Sequence, residues 1–311
     1  MTKWRPNRQL EGYLFLLPNA LGFIVFVLFP VVFALGISLT NWNLSQSIFE
    51  KLPPFVGLSN YLNLFTGSSS TLFRQVAGNM VFYVLSIVPL QTMIALLIAL
   101  ALNQKLRGMK GFRLIYYMPV VTTIVAGALA FQLMFDRNNG LVNAPLWSLA
   151  ETFHIAIRPP DWLSSSMWSK PAVVILTLWK NIGFTIIIFL AGLQSIPQDL
   201  QEAAAIDGAS RRQRFFNITL PLLSPTTFFV LVILVIGAFQ LFDEAFVMTR
   251  GGPANSSLTA VMAIYNTAFG AAPRMGLASA MSWVLFIVIF IFTVLQQRLQ
   301  KRWVYYETTD G

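Results

Sequence analysis

QEAAAIDGASRRQRFFNITLPLLSPT, residues 201–226, is a polar segment set between two long apolar runs at about 172–194 and 228–248. Its punctuation predicts two short helices joined by a sharp turn. Ser195 is placed to cap the first helix, with Gln198 three residues on as its reciprocal partner, and Ser210 with Gln213 repeats the arrangement for the second. Such pairs satisfy N–H groups that a helix start leaves open. Gly208 falls where the first helix must stop, because the residue past a helix end is often left-handed and glycine takes that conformation without penalty. Pro221 and Pro225 are then expected to close the second. Ala203, Ala204 and Ala205 leave one side nearly featureless, so a partner can approach closely, while Glu202 and Asp207 offer charge. The same features also suit an ordinary amphipathic connector between membrane helices.

Working outward, the chain is 311 residues long, 56% hydrophobic and 11% charged, with a mean hydropathy of +0.66. That composition excludes an ordinary soluble domain and places the chain in a bilayer. A spanning helix needs roughly 20 mostly apolar residues. Six segments qualify, at about 14–39, 76–102, 114–135, 172–194, 228–248 and 277–295. Six spans put both termini on one side. Of the 21 Lys and Arg, Lys180 lies within a span and Lys51, Arg74, Arg137, Arg158, Lys170, Arg250 and Arg274 would lie outside if the N-terminus is inside, which leaves thirteen for the cytoplasm. The bias of Lys and Arg towards cytoplasmic loops favours that orientation, N-in and C-in. It also puts the 201–226 segment in the cytoplasm. The first span follows a basic start but is longer than a secretory signal core, and is read as a retained helix. Trp42, Trp147, Trp162 and Trp168 lie in or beside outer segments as expected of interfacial anchors.

Glu202-Ala203-Ala204, then Asp207-Gly208-Ala209, then Ile218, Leu220 and Pro221 resemble the EAA loop of permease subunits in binding-protein-dependent ABC importers, particularly the carbohydrate-uptake branch. A second echo is Phe242-Asp243 followed by Thr249-Arg250-Gly251-Gly252-Pro253, which looks like the end of the fifth span and its outer loop in sugar permeases. The resemblance covers most of the chain from about Leu10 onward. It implies an all-α, six-span permease domain over 1–311 with the type I ABC importer permease fold, in a bacterial cytoplasmic (inner) membrane. It implies that the loop at about 195–225, with Glu202, Ala203, Ala204, Asp207 and Gly208, docks into a cleft on an ATPase. The partners it implies are a second permease subunit, two ATPase subunits that carry the ATP and Mg, and an extracytoplasmic solute-binding protein. The solute would be a sugar, oligosaccharide or related polyol, with glycerol phosphate also open.

Three ionisable residues fall within spans, Lys180, Asp243 and Glu244. Each costs about 2.5–3.5 kcal/mol at mid-membrane, so they are expected to face a cavity or each other. Lys180 and the two acids lie at comparable depth, and either a structural pair or a part in solute recognition follows. Thr177, Asn181 and Thr185 recur every four residues on the fourth span, Phe239, Gln240, Asp243 and Glu244 share a broad face of the fifth, and Asn79, Tyr83 and Ser86 repeat the pattern on the second. Such stripes serve helix packing as readily as solute. By the family resemblance, Asn181, Gly183, Phe184, Phe239 and Gln240 stand where sugar permeases hold solute, and amides with aromatic faces suit a sugar.

Other classes find little purchase. No H-E-x-x-H occurs, and the one histidine, His154, belongs to an outer loop, so no metal site is expected. No G-x-x-x-x-G-K-[ST] phosphate loop is present, so ATP is expected on another chain and no enzymatic activity on this one. The formal charge of +9 is scattered over short loops with no nucleic-acid module, and zero cysteines exclude disulfides. The alternative is an ion-coupled secondary transporter of a small polar solute, using the intramembrane charges.

Overall fold

In the computed structural model, residues 7–43, 52–104, 108–155 and 159–305 are described. Lys3, Arg5, Lys51, Lys105, Arg107 and Arg158, which enter the charge count, lie outside the described residues. Among the described residues the regular structure is helical, apart from one isolated antiparallel bridge between Thr40 and Phe55. α1 (Asn7–Phe23) passes through a π-helical turn (Ile24–Leu28) into α2 (Phe29–Ser38), followed by α3 (Ser59–Phe65) and α4 (Ser70–Leu102). α5 (Met109–Val121), α6 (Ile124–Met134), α7 (Ala144–Phe153) and α8 (Ser169–Gln194) come next. α9 (Gln198–Ile206) and α10 (Arg211–Arg214) precede a second π turn (Phe215–Thr219) and α11 (Leu220–Leu222). α12 (Ser224–Phe239), α13 (Asp243–Met248), α14 (Ala260–Phe269) and α15 (Met275–Gln300) complete the order.

Among the described residues four helices are long and apolar enough to cross a membrane, and up to six if each of two bent pairs counts as one span. The expected run at 114–135 is one such pair: α5 and α6 meet at 97°. Thr122 and Thr123 both leave helical geometry, with ψ of 138°, in a β-branched stretch that begins just after Pro119 and resists helix continuation. The expected run at 228–248 is also interrupted. α12 stops at Phe239, Phe242 takes φ −138°, and α13 restarts with Asp243 and Glu244 in its first turn. Acids there suit the positive end of a helix.

The chain, read above as one domain over 1–311, divides into two compact units, residues 1–70 with 264–284 and residues 71–263 with 285–311. In the first, Asn60 donates to the carbonyls of Ser38 and Thr40 at 2.8 and 2.9 Å, and Ser38 shares a hydrogen bond with Tyr61. Gly276 lies directly under the Thr40 carbonyl, where any Cβ would collide. In the second, α8 is central. Its Ile186, Phe189, Leu190 and Leu193 pack with Ala95, Ala99 and Leu102 of α4 and with Leu223 and Val230 to make a buried apolar core. Gly183 allows α5 to cross α8 at backbone contact, because a Cβ there would strike the Tyr116 carbonyl.

The outer segment 135–171 has its own small core within this second unit. Trp162 stacks on Phe135, packs edge-on to Trp168, and donates to Asn143. Asn143 is fully buried and bonds the carbonyls of Arg137 and Pro160. Trp162 is therefore a packing centre for this loop, a role that interfacial anchoring did not anticipate.

Candidate functional site

α4, α8, α12 and α13 enclose a cavity of about 260 Å³ in the second unit. Its polar lining comprises Gln91, Thr177, Asn181, Thr185, Gln240, Asp243 and Glu244, and Phe184 adds an aromatic face that is 47% exposed. Gln91 donates to the Thr185 hydroxyl at 2.9 Å, which leaves the amide oxygen of Gln91 unspent in that contact. Thr177 bonds back to Val173, and Asn181 to Thr177 at 3.1 Å, so each uses one donor on its own helix. The Asn181 amide also adjoins the Glu244 carboxylate, with Asp243 alongside. The result is a pocket of amides, hydroxyls and carboxylates around one ring face.

Of the residues expected to meet solute, the cavity gathers Asn181, Phe184, Gln240, Asp243 and Glu244. It leaves out three. Gly183 is spent on the crossing with α5. Phe239 is buried and packs on Phe292 at 5.2 Å between ring centres. The interruption after Phe239 turns the face that α12 and α13 were expected to share, so Gln240 enters the cavity while Phe239 does not. Lys180 donates from Nζ to the carbonyls of Pro119 at 3.0 Å and Val120 at 2.8 Å, and to that of Thr122. Among the described residues no direct ion pair joins Lys180 to Asp243 or Glu244, so the expected contact pair is corrected to one with backbone carbonyls, while the Lys180 charge still lies near enough to act on Glu244. Gln91 was missed. A lone amide midway along a 33-residue helix was its signal.

The polar stripe on α4 has a packing role. Asn79 donates to the carbonyls of Asn255 and Leu258, both at 2.9 Å, Tyr83 to that of Ser257 at 2.9 Å, and Gln75 to that of Ala254 at 2.7 Å. His154 closes α7 in the left-handed region at φ 52°.

The 201–226 segment forms the two short helices and the turn. Ser210 and Gln213 make a complete capping box. Gly208 has φ +81°, the Ala209 N–H reaches the Ala204 carbonyl at 2.9 Å, and the Gly208 N–H reaches that of Ala205 at 3.2 Å. This is the paired closure that a left-handed glycine allows. Two expectations are corrected. Ser195 ends α8, bonding back to Gly192 at 2.8 Å, and Pro197 stands at the start of α9 without a side-chain cap. Pro221 does not end the second helix but follows a π turn in which the Leu220 N–H reaches back five residues to Phe215. A proline has no N–H to give, and the wider turn accommodates its ring. The bend of 60° comes later, between Leu222 and Ser224.

Glu202, Ala203, Asp207 and Gly208 are exposed and Ala204 is half-buried. Ile206 is 86% exposed beside them. Arg214 and Gln201 hold the two helices together, through Arg214 to the Gln201 carbonyl at 3.4 Å and Gln201 to the Thr219 hydroxyl at 3.1 Å. Behind them lies a second cavity of about 560 Å³, lined largely by Asn103, Gln104, Arg113, Gln194, Gln198 and Gln201.

The sequence pattern of the family described as binding-protein-dependent transport system inner membrane component matches residues 14–305. The trehalose/maltose transport system permease protein MalF of Thermococcus litoralis is 34% identical over 290 residues, covering 93% of each chain. The lactose transport system permease protein LacF of Rhizobium radiobacter is 33% identical over 291 residues, again with 93% of each chain covered. Among solved structures, a chain of a bacterial ABC transporter for import of the acidic polysaccharide alginate superposes with a TM-score of 0.77 at 24% identity, covering 95% of this chain and 96% of that one. That likeness shows the fold alone, the all-α type I fold.

Proposed function

The chain belongs to the family of binding-protein-dependent transport system inner membrane components, and from that premise we propose that it is the multi-pass subunit through which an ATP-driven importer passes a sugar, oligosaccharide or related polyol. The observation that carries the substrate class is the cavity of about 260 Å³, where Asn181, Gln240, Asp243 and Glu244 offer donors and acceptors around the exposed ring of Phe184. Hydroxyl groups need such partners, and an apolar sugar face needs such a ring. Relatives named for trehalose/maltose and lactose transport support this class. An ion-coupled secondary transporter finds no support in this family.

The remaining assembly is proposed on the same footing. A second permease chain, two ATPase subunits holding ATP and Mg, and an extracytoplasmic binding protein complete the importer, in a bacterial inner membrane. This chain supplies transport and leaves hydrolysis to the ATPases. Glu202, Ala203, Ala204, Asp207 and Gly208 form its docking face for one of them. Closure of the ATPases moves that face, and the cavity changes its side of access because solute and nucleotide favour different states.

The test is uptake by the complete complex in proteoliposomes with its binding protein. Asn181→Ala and Gln240→Ala should each lower uptake by about tenfold, the cost of leaving a buried hydrogen-bonding group unpaired, and should loosen discrimination among related sugars while the complex still assembles. Native rate and selectivity in both variants, or loss through failed assembly alone, would mean that these residues only pack.

A further inference from the structure

Lys180 puts an ammonium within a spanning helix, and its three contacts are all backbone carbonyls at one place, those of Pro119, Val120 and Thr122. That place is the break between α5 and α6. α5 ends at Val121 with Thr122 as its cap, so apart from the Thr122 N–H that reaches Pro119 at 3.2 Å the carbonyls at this end lack the donors that a continuing helix would supply. Open carbonyls at a helix C-terminus also carry the negative end of its dipole. An ammonium has three donors and one positive charge, and it answers both needs at once. The exchange works in the other direction too, since the carbonyls spare Lys180 the cost of an unpaired charge in the membrane.

The location gives this contact a consequence. Asn181 and Phe184, one and four residues on, line the cavity, and Gly183 brings the α5 backbone against α8 within the same turn. We propose that Lys180 is a positioning residue for transport: it pins the α5–α6 break onto α8 and so sets the rotation at which α8 presents Asn181 and Phe184. It is neither a ligand of the solute nor half of an ion pair with Asp243 or Glu244. The link to solute rests on the cavity reading given above, whereas the pinning of the break stands apart from it.

Because the chain has no cysteine, Met118→Cys and Leu129→Cys, at positions 58% and 52% exposed on either side of the break, can carry spin labels in the assembled importer with cysteine-free partners. Pulsed EPR then reads the separation across the break, and uptake is measured on the same samples. Lys180→Met should broaden or shift the separation and lower maximal uptake by about fivefold or more. Lys180→Arg should keep the native separation and most of the uptake, because a guanidinium still supplies charge and donors. Asn181→Ala should lose uptake with the separation unchanged. If Lys180→Met keeps the native separation and only raises the half-saturating solute concentration, Lys180 is a solute ligand and the proposal is overturned. Restoration of uptake by adding Asp243→Asn or Glu244→Gln to Lys180→Met would overturn it in favour of an ion pair. Should Lys180→Met fail to assemble, Lys180→Gln, with two donors and no charge, is expected to give an intermediate separation, and a native one would be equally decisive against pinning. A broadened separation in Lys180→Met alongside native transport in Asn181→Ala would uphold the pin and sink the cavity reading.

Discussion

Tyr83 is fully buried in α4, and its hydroxyl has the Ser257 carbonyl as its partner at 2.9 Å. Tyr83→Phe preserves the ring packing and leaves that carbonyl open, at a cost of about 1–3 kcal/mol. Asn79→Ala removes bonds to two carbonyls, Asn255 and Leu258, and should cost more. Thermal unfolding of the purified complex in detergent is expected to follow that order, native above Tyr83→Phe above Asn79→Ala, and equal midpoints would show the loop to be held by other means. At this scale the sequence revealed which residues are polar inside a span but not what they touch. Asn79 and Tyr83 keep one helical face, yet their partners lie more than 170 residues away. Lys180 was visible as a misplaced charge, and the acids at similar depth were the obvious match. Backbone carbonyls freed by a break have no letter in the sequence, and they took the ammonium instead.

Breaks and turns decide the elements. Gly208 at φ +81° has no neighbouring atom within 4 Å of where a Cβ would stand, so a side chain there meets no obstacle and the penalty is conformational alone. Gly208→Val should cost about 1–2 kcal/mol in the left-handed region and Gly208→Asn distinctly less. Solute-stimulated ATP hydrolysis of the reconstituted complex is expected to fall with valine and largely survive with asparagine. Equal loss in both would point to a direct contact with the glycine. The Ser210–Gln213 box and this turn were legible because each is written in residues a few positions apart. Ser195 misled because a hydroxyl that can start a helix can equally bond back to the turn before it. The interruptions at 122–123 and 240–242 escaped hydropathy, since Val120, Val121, Leu241 and Phe242 are as apolar as any helix needs. What breaks there is backbone geometry, and it is this that turns Gln240 into the cavity and Phe239 away from it.

For the whole molecule, composition and six apolar runs were enough to give the class, because the bilayer constrains the length of a span more tightly than any packing rule. Helix ends were off by several residues where amphipathic turns extend a span, as at Ser70 and Gln300. Orientation can be checked in the cysteine-free chain. Ala209→Cys should react with a membrane-impermeant maleimide only from the cytoplasmic side, and Asn138→Cys only from the outside, in oriented vesicles. Reversed labelling would invert the topology. The larger of the two cavities bears on how such a molecule moves. Half of its lining residues are amides, Asn103, Gln104, Gln194, Gln198 and Gln201, with Arg113 and Thr219 beside them and Leu100, Leu193 and Ile196 supplying the apolar part. An apolar seam would have to be pulled apart before the short helices could shift, losing buried area with every ångström. Amides trade one donor or acceptor for another, or for water, at nearly constant energy. On the docking proposed for residues 202–208, the joint between these short helices and the spans is a lubricated bearing, free to slide under a push from an ATPase, and the apolar core around Phe189 would receive that push.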